Sequence, residues 1–283
     1  MAIEHISDTA RWVAYYRHME SERPDAIFRD PFARQLAGER GAEIVRAMKH
    51  GRSMAWPMIV RTAVFDEILR DQVDHHGIER VVNLAAGLDA RPWRLTLPRT
   101  LEWLDVDLPD ILQYKLDSLK GVPTTCAYQA VPTDLTDAAA RRTLFEQLSA
   151  SARRTLVLTE GLLIYLTPDQ VGTLAKDLHA QSCIQAWVID LASPRLLKLM
   201  GNTWGKAVAK GNAPFQFGPA EGTAFFTPFG WRESQFRSSL EESWRLNRKM
   251  RGAWFWRAIG MLYPRRVQEE FRRMSGIVLL VRA

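Results

Sequence analysis

Cysteine is scarce in this 283-residue chain: only Cys126 and Cys183 occur. Two thiols with no Cys-x-x-Cys spacing cannot close a structural zinc site alone, and they exclude a disulfide scaffold. Both sit in apolar or strand-like surroundings, so they are expected as buried free thiols in a reducing compartment. Long apolar runs are missing as well. The longest, around Leu156 to Leu166, is interrupted by Glu160, short of the roughly 18–20 residues of a membrane span. The opening MAIEHISDTARW has no basic segment followed by an apolar one, so no secretory leader is expected. These absences lead to the expectation of a cytoplasmic chain with no membrane partner and no metal site. Repeats, low-complexity tracts and linkers are lacking too. One domain with insertions is therefore expected, and a chain this long can bury about 75% of its unfolded surface.

Charge is present but uneven. The net charge is +6, and residues 232 to 273 hold eleven Lys and Arg against five Asp and Glu. The remainder is therefore close to neutral. A basic C-terminal stretch suits an anionic substrate, a nucleic acid or only water.

The pattern along the chain changes near Gly77. The first 50 residues read as helix with turns at Arg23-Pro24-Asp25 and Asp30-Pro31. Residues 56 to 76 read as a strong helix from apolar spacing near 3.6. His75 and His76 sit at its negative pole, which explains both. Short apolar strands then alternate with helices: Arg80 to Gly87, Thr100 to Asp107, Thr124 to Val131, Thr155 to Thr159 and Ala186 to Leu191. Thr167-Pro168-Asp169-Gln170 is a capping box opening a helix. Residues 195 to 230 break this rhythm and read as an insertion. Glu242 to Asn247 and Gly276 to Arg282 read as two final strands, the last apolar enough to be central. Alternation of this kind predicts an α/β fold, a mostly parallel sheet covered on both faces.

Ligands of such sheets bind outside the carboxyl ends of the strands. Those ends are Ala85-Ala86-Gly87-Leu88-Asp89, Asp105-Val106-Asp107, Asp134-Leu135, Glu160-Gly161 and Asp190, and each carries a carboxylate. An acidic rim repels phosphate but suits a cation bearing hydroxyls. Gly87 lets a ligand approach the backbone. Asp107, twenty residues on, is placed to accept from ribose hydroxyls. The full Gly-x-Gly-x-x-Gly fingerprint is absent, which disfavours an NAD enzyme.

The segment Asn83 to Arg91 with Trp93-Arg94-Leu95 resembles the first motif of the leucine carboxyl methyltransferase family of S-adenosylmethionine enzymes. Asp105-Val106-Asp107-Leu108-Pro109 is similar to the second motif. Asp134-Leu135, and Thr159-Glu160-Gly161 through Tyr165-Leu166-Thr167-Pro168, resemble the third and fourth. The opening, Thr9-Ala10-Arg11-Trp12 through Asp30-Pro31-Phe32-Ala33, resembles a bacterial branch that includes the tetracenomycin polyketide carboxyl O-methyltransferase. The resemblance runs in order over most of the chain and is weakest between about 195 and 275.

It implies a class I methyltransferase fold, Rossmann-like, with a seven-stranded mostly parallel sheet. Residues 1–55 would be a helical lid, 56–194 the cofactor-binding core, 195–240 a substrate or lid insertion, and 241–283 the final strands and helix. The implied cofactor is S-adenosyl-L-methionine. Arg61 would pair with its methionyl carboxylate. Ala85 and Gly87 would flank the methionyl part, and Asp107 with Leu108 the ribose. Asp134 and Leu135 would hold the adenine edge, and Glu160 the amino group. Ala85 stands where family members often carry glycine; its small size is expected to be tolerated.

The implied reaction is in-line methyl transfer to oxygen. A carboxylate acceptor is already ionised at neutral pH, so no catalytic base is expected. A phenol would need one. None of His5, His18, His50, His75, His76 and His179 stands at a strand end, and only His18, in the lid, is a candidate. The acceptor is therefore expected to be an anionic, aromatic or polyketide-type small molecule. Candidate contacts are Tyr16, Arg17, Tyr165 and Trp231, with aromatic clusters around Phe225 to Trp231 and at Trp254-Phe255-Trp256. Three alternatives stay open: a protein C-terminal carboxylate or modified tRNA as acceptor, a phenol acceptor, and a non-catalytic binding module.

Overall fold

A computed structural model describes residues 7–48, 51–52, 54–201, 214–250, 252–260 and 262–283, the side chains of 7 and 256–259 excepted. Seven strands form one sheet in the order β3-β2-β1-β4-β5-β7-β6. They are β1 (Arg80–Leu84), β2 (Glu102–Asp107), β3 (Ala127–Pro132), β4 (Thr155–Thr159), β5 (Ile184–Ala192), β6 (Trp231–Ser238) and β7 (Ser275–Arg282). Neighbours from β3 through β5 run parallel, and β7 is antiparallel to both β5 and β6. The expected strands through Thr159 and the last strand are all present within a few residues.

The centre of the sheet is the core. All five residues of β1 and all five of β4 are buried, as strands covered by helices on both faces must be. One face packs Phe145, Leu174, Trp187 and Trp231. The other packs Val64, Phe65, Leu69 and Trp103. Cys126 and Cys183 are free and buried.

The crossover helices follow their sequence punctuation. The helix α3 (Trp56–His75) has proline at its first turn. Thr167 and Gln170 form the reciprocal cap of the helix Pro168–His179. Ahead of the sheet, α1 (Ser7–Ser21) and α2 (Ala33–Ala47) pack over the carboxyl ends of the strands.

One expectation is corrected. Glu242 to Asn247 is not a strand: Ser239–Arg245 is helical. The Ser238 hydroxyl accepts from the Glu241 amide at 3.5 Å, and Glu241 and Glu242 stand in the first turn, favourable to the helix dipole. The sixth strand instead lies just before, over Trp231–Ser238, inside the stretch read as an insertion. It is an edge strand exposing polar residues, so its apolar signal is weak.

Candidate active site

A cavity of about 640 Å³ opens at the carboxyl ends of β1, β2, β4 and β5 beneath α1, within the ~300–1,000 Å³ range of ligand pockets. Its inner wall is charged. From α3, Arg61 reaches the β4 tip, with Nε 3.0 Å from Glu160 and Nη1 3.1 Å from Asp190. Arg91, 2% exposed, binds Asp66 and Asp89 at 2.6 Å and Glu160 at 2.8 Å. Arg94 holds the other oxygen of Asp66 at 2.7 Å. Behind β2, Lys115 and Asp105 form a fully buried pair at 2.7 Å. With Arg17, Asp30 and Asp107, the cluster counts five cations against seven carboxylates.

Burial alone would raise these carboxyls, but the guanidiniums win at three of them. Arg91 holds Asp89 well below the usual carboxylate range. Arg91 and Arg61 lower Glu160, and Arg94 and Arg91 lower Asp66. Asp107 differs. Burial raises it, against the Gly87 and Leu108 amides. These donate to its two oxygens at 2.6 and 2.7 Å, and each carboxylate oxygen retains a second lone pair. Tyr165 also lines the cavity; burial pushes its phenol up to about 12. Its ring stacks on Phe215 at 5.8 Å.

Two backbone positions build this wall. Gly161 has φ +71, and a Cβ there would stand 2.9 Å from Arg61 Nη1. Glycine thus lets the guanidinium cross the strand tip. Ala85 has φ +54, a left-handed conformation that costs a residue with a Cβ about 1 kcal/mol. The issue at Ala85 is therefore backbone strain rather than the size anticipated from sequence.

Arg61, Ala85, Gly87, Asp107, Leu108, Glu160, Arg17 and Tyr165 all line the cavity. Arg17, however, spends its guanidinium on Asp30 at 2.8 Å and the Leu88 carbonyl at 2.5 Å, so it fastens α1 to the β1 loop. Asp134 and Leu135 lie outside the cavity wall. The Asp134 carboxylate accepts from Thr136 at 2.7–2.8 Å, and Leu135 packs against the core.

Two substrate candidates are corrected. Tyr16 is fully buried, donating to the Gly51 carbonyl at 2.5 Å, and burial pushes its phenol up to about 12. Trp231 is fully buried, donating to the Ala175 carbonyl at 2.9 Å. Each is an amphipathic aromatic that satisfies its polar end inside the core. His5 and His50 lie outside the described residues, as does the Trp256 side chain. The four other histidines do not line the cavity; His18 faces Glu22 at 3.8 Å.

Arg91, Asp66, Asp89 and Asp190 escaped the sequence reading as site residues. Asp89, Arg91 and Asp190 stood in the quoted strand-end segments, but adjacency in sequence does not reveal which charges meet. Asp66 had no signal at all, being an acid on the buried face of α3.

The basic C-terminal stretch is largely spent internally. Arg237 and Arg245 bind Glu242 and Glu67. Arg248 is buried against Glu20 at 2.7 Å, and Arg273 pairs with Glu233. A free cationic track for nucleic acid is not what these arginines form.

Comparison with known proteins agrees with this geometry. The family model "leucine carboxyl methyltransferase" matches residues 10–179. The chain belongs to the leucine carboxyl methyltransferase family. A relative from Mycolicibacterium smegmatis is 32% identical over 62% of each chain, and one from Mycobacterium avium is 30% identical over 81% of this chain and 80% of its own. Both carry the name "Putative S-adenosyl-L-methionine-dependent methyltransferase". The chain thus spans less than two thirds of the first of these. Among solved structures, a DUF574 family protein from Streptomyces avermitilis aligns over 97% of both chains with TM-score 0.62 at 10% identity. A "putative methyltransferase" from Thermobifida fusca aligns over 100% of this chain and 96% of its own with TM-score 0.55 at 12% identity. These likenesses concern the fold, which is the class I methyltransferase fold.

Proposed function

We infer that the chain is an S-adenosylmethionine-dependent O-methyltransferase acting on the carboxylate of a small organic acid. The observation that carries this reading is the excess of carboxylates in the strand-tip cluster, which faces a cavity outside a parallel sheet. The cofactor has two cationic centres, a carboxylate and a ribose, so it fits a wall in which arginines stand among an excess of acids. Two buried donors on that wall, Thr62 Oγ1 and Trp56 Nε1, find no hydrogen-bond partner among the described residues. Polar atoms in that state are costly unless a ligand completes them.

When bound, the cofactor would supply a methyl group on a sulfonium. The rest falls to the protein. Asp107 accepts from the ribose hydroxyls, its oxygens already aimed by the Gly87 and Leu108 amides. Arg61 takes the methionyl carboxylate, and Glu160, itself anchored by Arg91, takes the ammonium. The salt-bridge cluster would orient the bound cofactor for the ~3–3.5 Å approach that in-line transfer needs. Among the described residues, α1 and the residues around 196–200 and 215–217 act as covers. Thr9, Trp12 and Val13 of α1 already form part of the roof. Excluding water from the cavity favours a step in which an anion and a cation neutralise each other.

No histidine among the described residues lines the cavity, which supports an acceptor that arrives ionised. Aromatic walls from Trp12, Trp56, Phe215 and Phe271 are compatible with the expected aromatic or polyketide-type acid. Incubation with methyl-labelled S-adenosylmethionine and a panel of acids tests the reading. A carboxyl ester releases volatile methanol in mild alkali, whereas a phenol ether does not. Alkali-labile label supports the carboxyl reading. Alkali-stable label overturns it.

A further inference from the structure

The cavity has two unlike halves, and the outer one speaks to the acceptor. Every charged residue that lines the cavity belongs to α1, α3, the strand tips or the short helix Arg91–Arg94 that follows β1. The outer half is built from residues around 54–58, 196–200, 215–217, 239–250 and 271–277; among the described residues none of its wall is charged, and Trp56 Nε1 is its unpartnered donor. Five methionines stand in it: Met54, Met58, Met200, Met250 and Met274. Its hydroxyls, Ser239 and Ser275, lie 3.0 Å apart and bond to each other. A hydroxyl-rich ligand would leave its own polar groups unpaired against such a wall, at a cost of about one to two powers of ten in affinity for each. Methionine is unbranched and polarisable and fills irregular apolar gaps around flexible hydrocarbon.

The mouth continues the same character. Leu199, Leu240 and Met250 both line the cavity and are exposed, and Trp254 and Leu262 further along the chain are 69% and 85% exposed. In the same stretch of sequence, residues 249 to 266 carry five Lys or Arg and no acid. Glu270, just beyond, faces Arg266 at 3.5 Å. An apolar opening beside a sequence stretch of net positive charge suits an amphiphile with one anionic head.

We propose that the acceptor is a lipophilic monocarboxylate, an extended hydrocarbon body with a single ionised head, rather than a polyhydroxylated aromatic acid. This rests on the methyltransferase reading above. The head lies at the charged half, where one carboxylate oxygen attacks the sulfonium-bound methyl. The new bond is O–CH3, the S–CH3 bond breaks with its electron pair returning to sulfur, and the products are a methyl ester and the neutral thioether. No proton moves.

The test is a chain-length series of saturated fatty acids, C8 to C16, with labelled S-adenosylmethionine and the full chain, beside a trihydroxylated anthraquinone carboxylic acid. Esters of the fatty acids are expected, with KM falling about three- to fourfold per methylene until the cavity is full. Met58→Glu should raise KM for the C14 acid at least tenfold while calorimetric affinity for S-adenosylmethionine changes less than twofold. A KM that does not respond to chain length overturns the proposal. So does esterification of the anthraquinone acid alone, or cofactor binding with no fatty acid bound or esterified. Failure to bind S-adenosylmethionine at all would strike the methyltransferase reading instead.

Discussion

The inner and outer halves of the cavity obey different physics. At the strand tips, eleven charges are held by mutual salt bridges at 2.6–3.1 Å and Asp107 by two backbone amides, so each position is dictated by its partners. The side chains of the outer half are held mainly by dispersion and burial, where residues of similar volume substitute for one another. The inner half is therefore specific for one charged ligand. The outer half constrains only the size and polarity of what it admits. On the proposed function, recognition of a shared cofactor and of a private acceptor is divided between the two.

The sharpest way to break that division is to remove Arg91. Arg91→Met leaves Asp66, Asp89 and Glu160 buried without their common cation. A loss of about 3–5 kcal/mol is expected in urea unfolding, and cofactor binding should vanish in calorimetry. A loss below 1 kcal/mol would mean that the network is not the frame of the inner half. Next in size, Asp107→Ala removes charge-assisted acceptors, each worth ~1.5–3 kcal/mol. Cofactor affinity should drop by about one to two orders of magnitude while the melting temperature moves little. Equal loss for acceptor and cofactor would erase the distinction between the halves.

The difference also explains what the sequence disclosed. Strand tips, their spacing and the order of motifs were readable because glycine, proline and carboxylates punctuate parallel strands for local reasons. Arg61, Gly87, Asp107 and Glu160 could be named for that reason. The partners Asp66 and Arg91 meet only through folding, and nothing local in their sequence announces it. Two acceptor contacts named from the sequence lie off the cavity wall. Trp231 and Tyr16 are as aromatic as any pocket wall, and composition alone does not say which way a ring faces. The sixth strand hid for a related cause: an edge strand that alternates polar residues has little apolar signal to find.

Acid offers a gentler probe of the inner half. Asp66, Asp89 and Glu160 are all lowered in the folded chain. Groups of that kind stabilise the fold above their unfolded values near 4. Their contribution is lost as the pH falls through the folded values. Asp107, raised on folding, acts in the opposite sense but is one group against three. The melting temperature should be flat from pH 8 to about 5 and fall steadily below it. A melting temperature that rises between pH 5 and 3 would contradict the salt-bridge account.

The smallest effect is expected at Ala85. Ala85→Gly relieves the left-handed strain at φ +54 but frees the unfolded chain. The net gain should be about 0.5 kcal/mol in unfolding free energy, with cofactor affinity unchanged or slightly improved. A loss of stability would show that the strain is not real.

The most direct test of the whole account is a crystal structure of the chain with S-adenosylhomocysteine. The account predicts ribose hydroxyls on Asp107, the amino-acid end between Arg61 and Glu160, and the sulfur facing the methionine-lined half. A nucleoside lodged elsewhere, or a sulfur turned toward the charged wall, would contradict it.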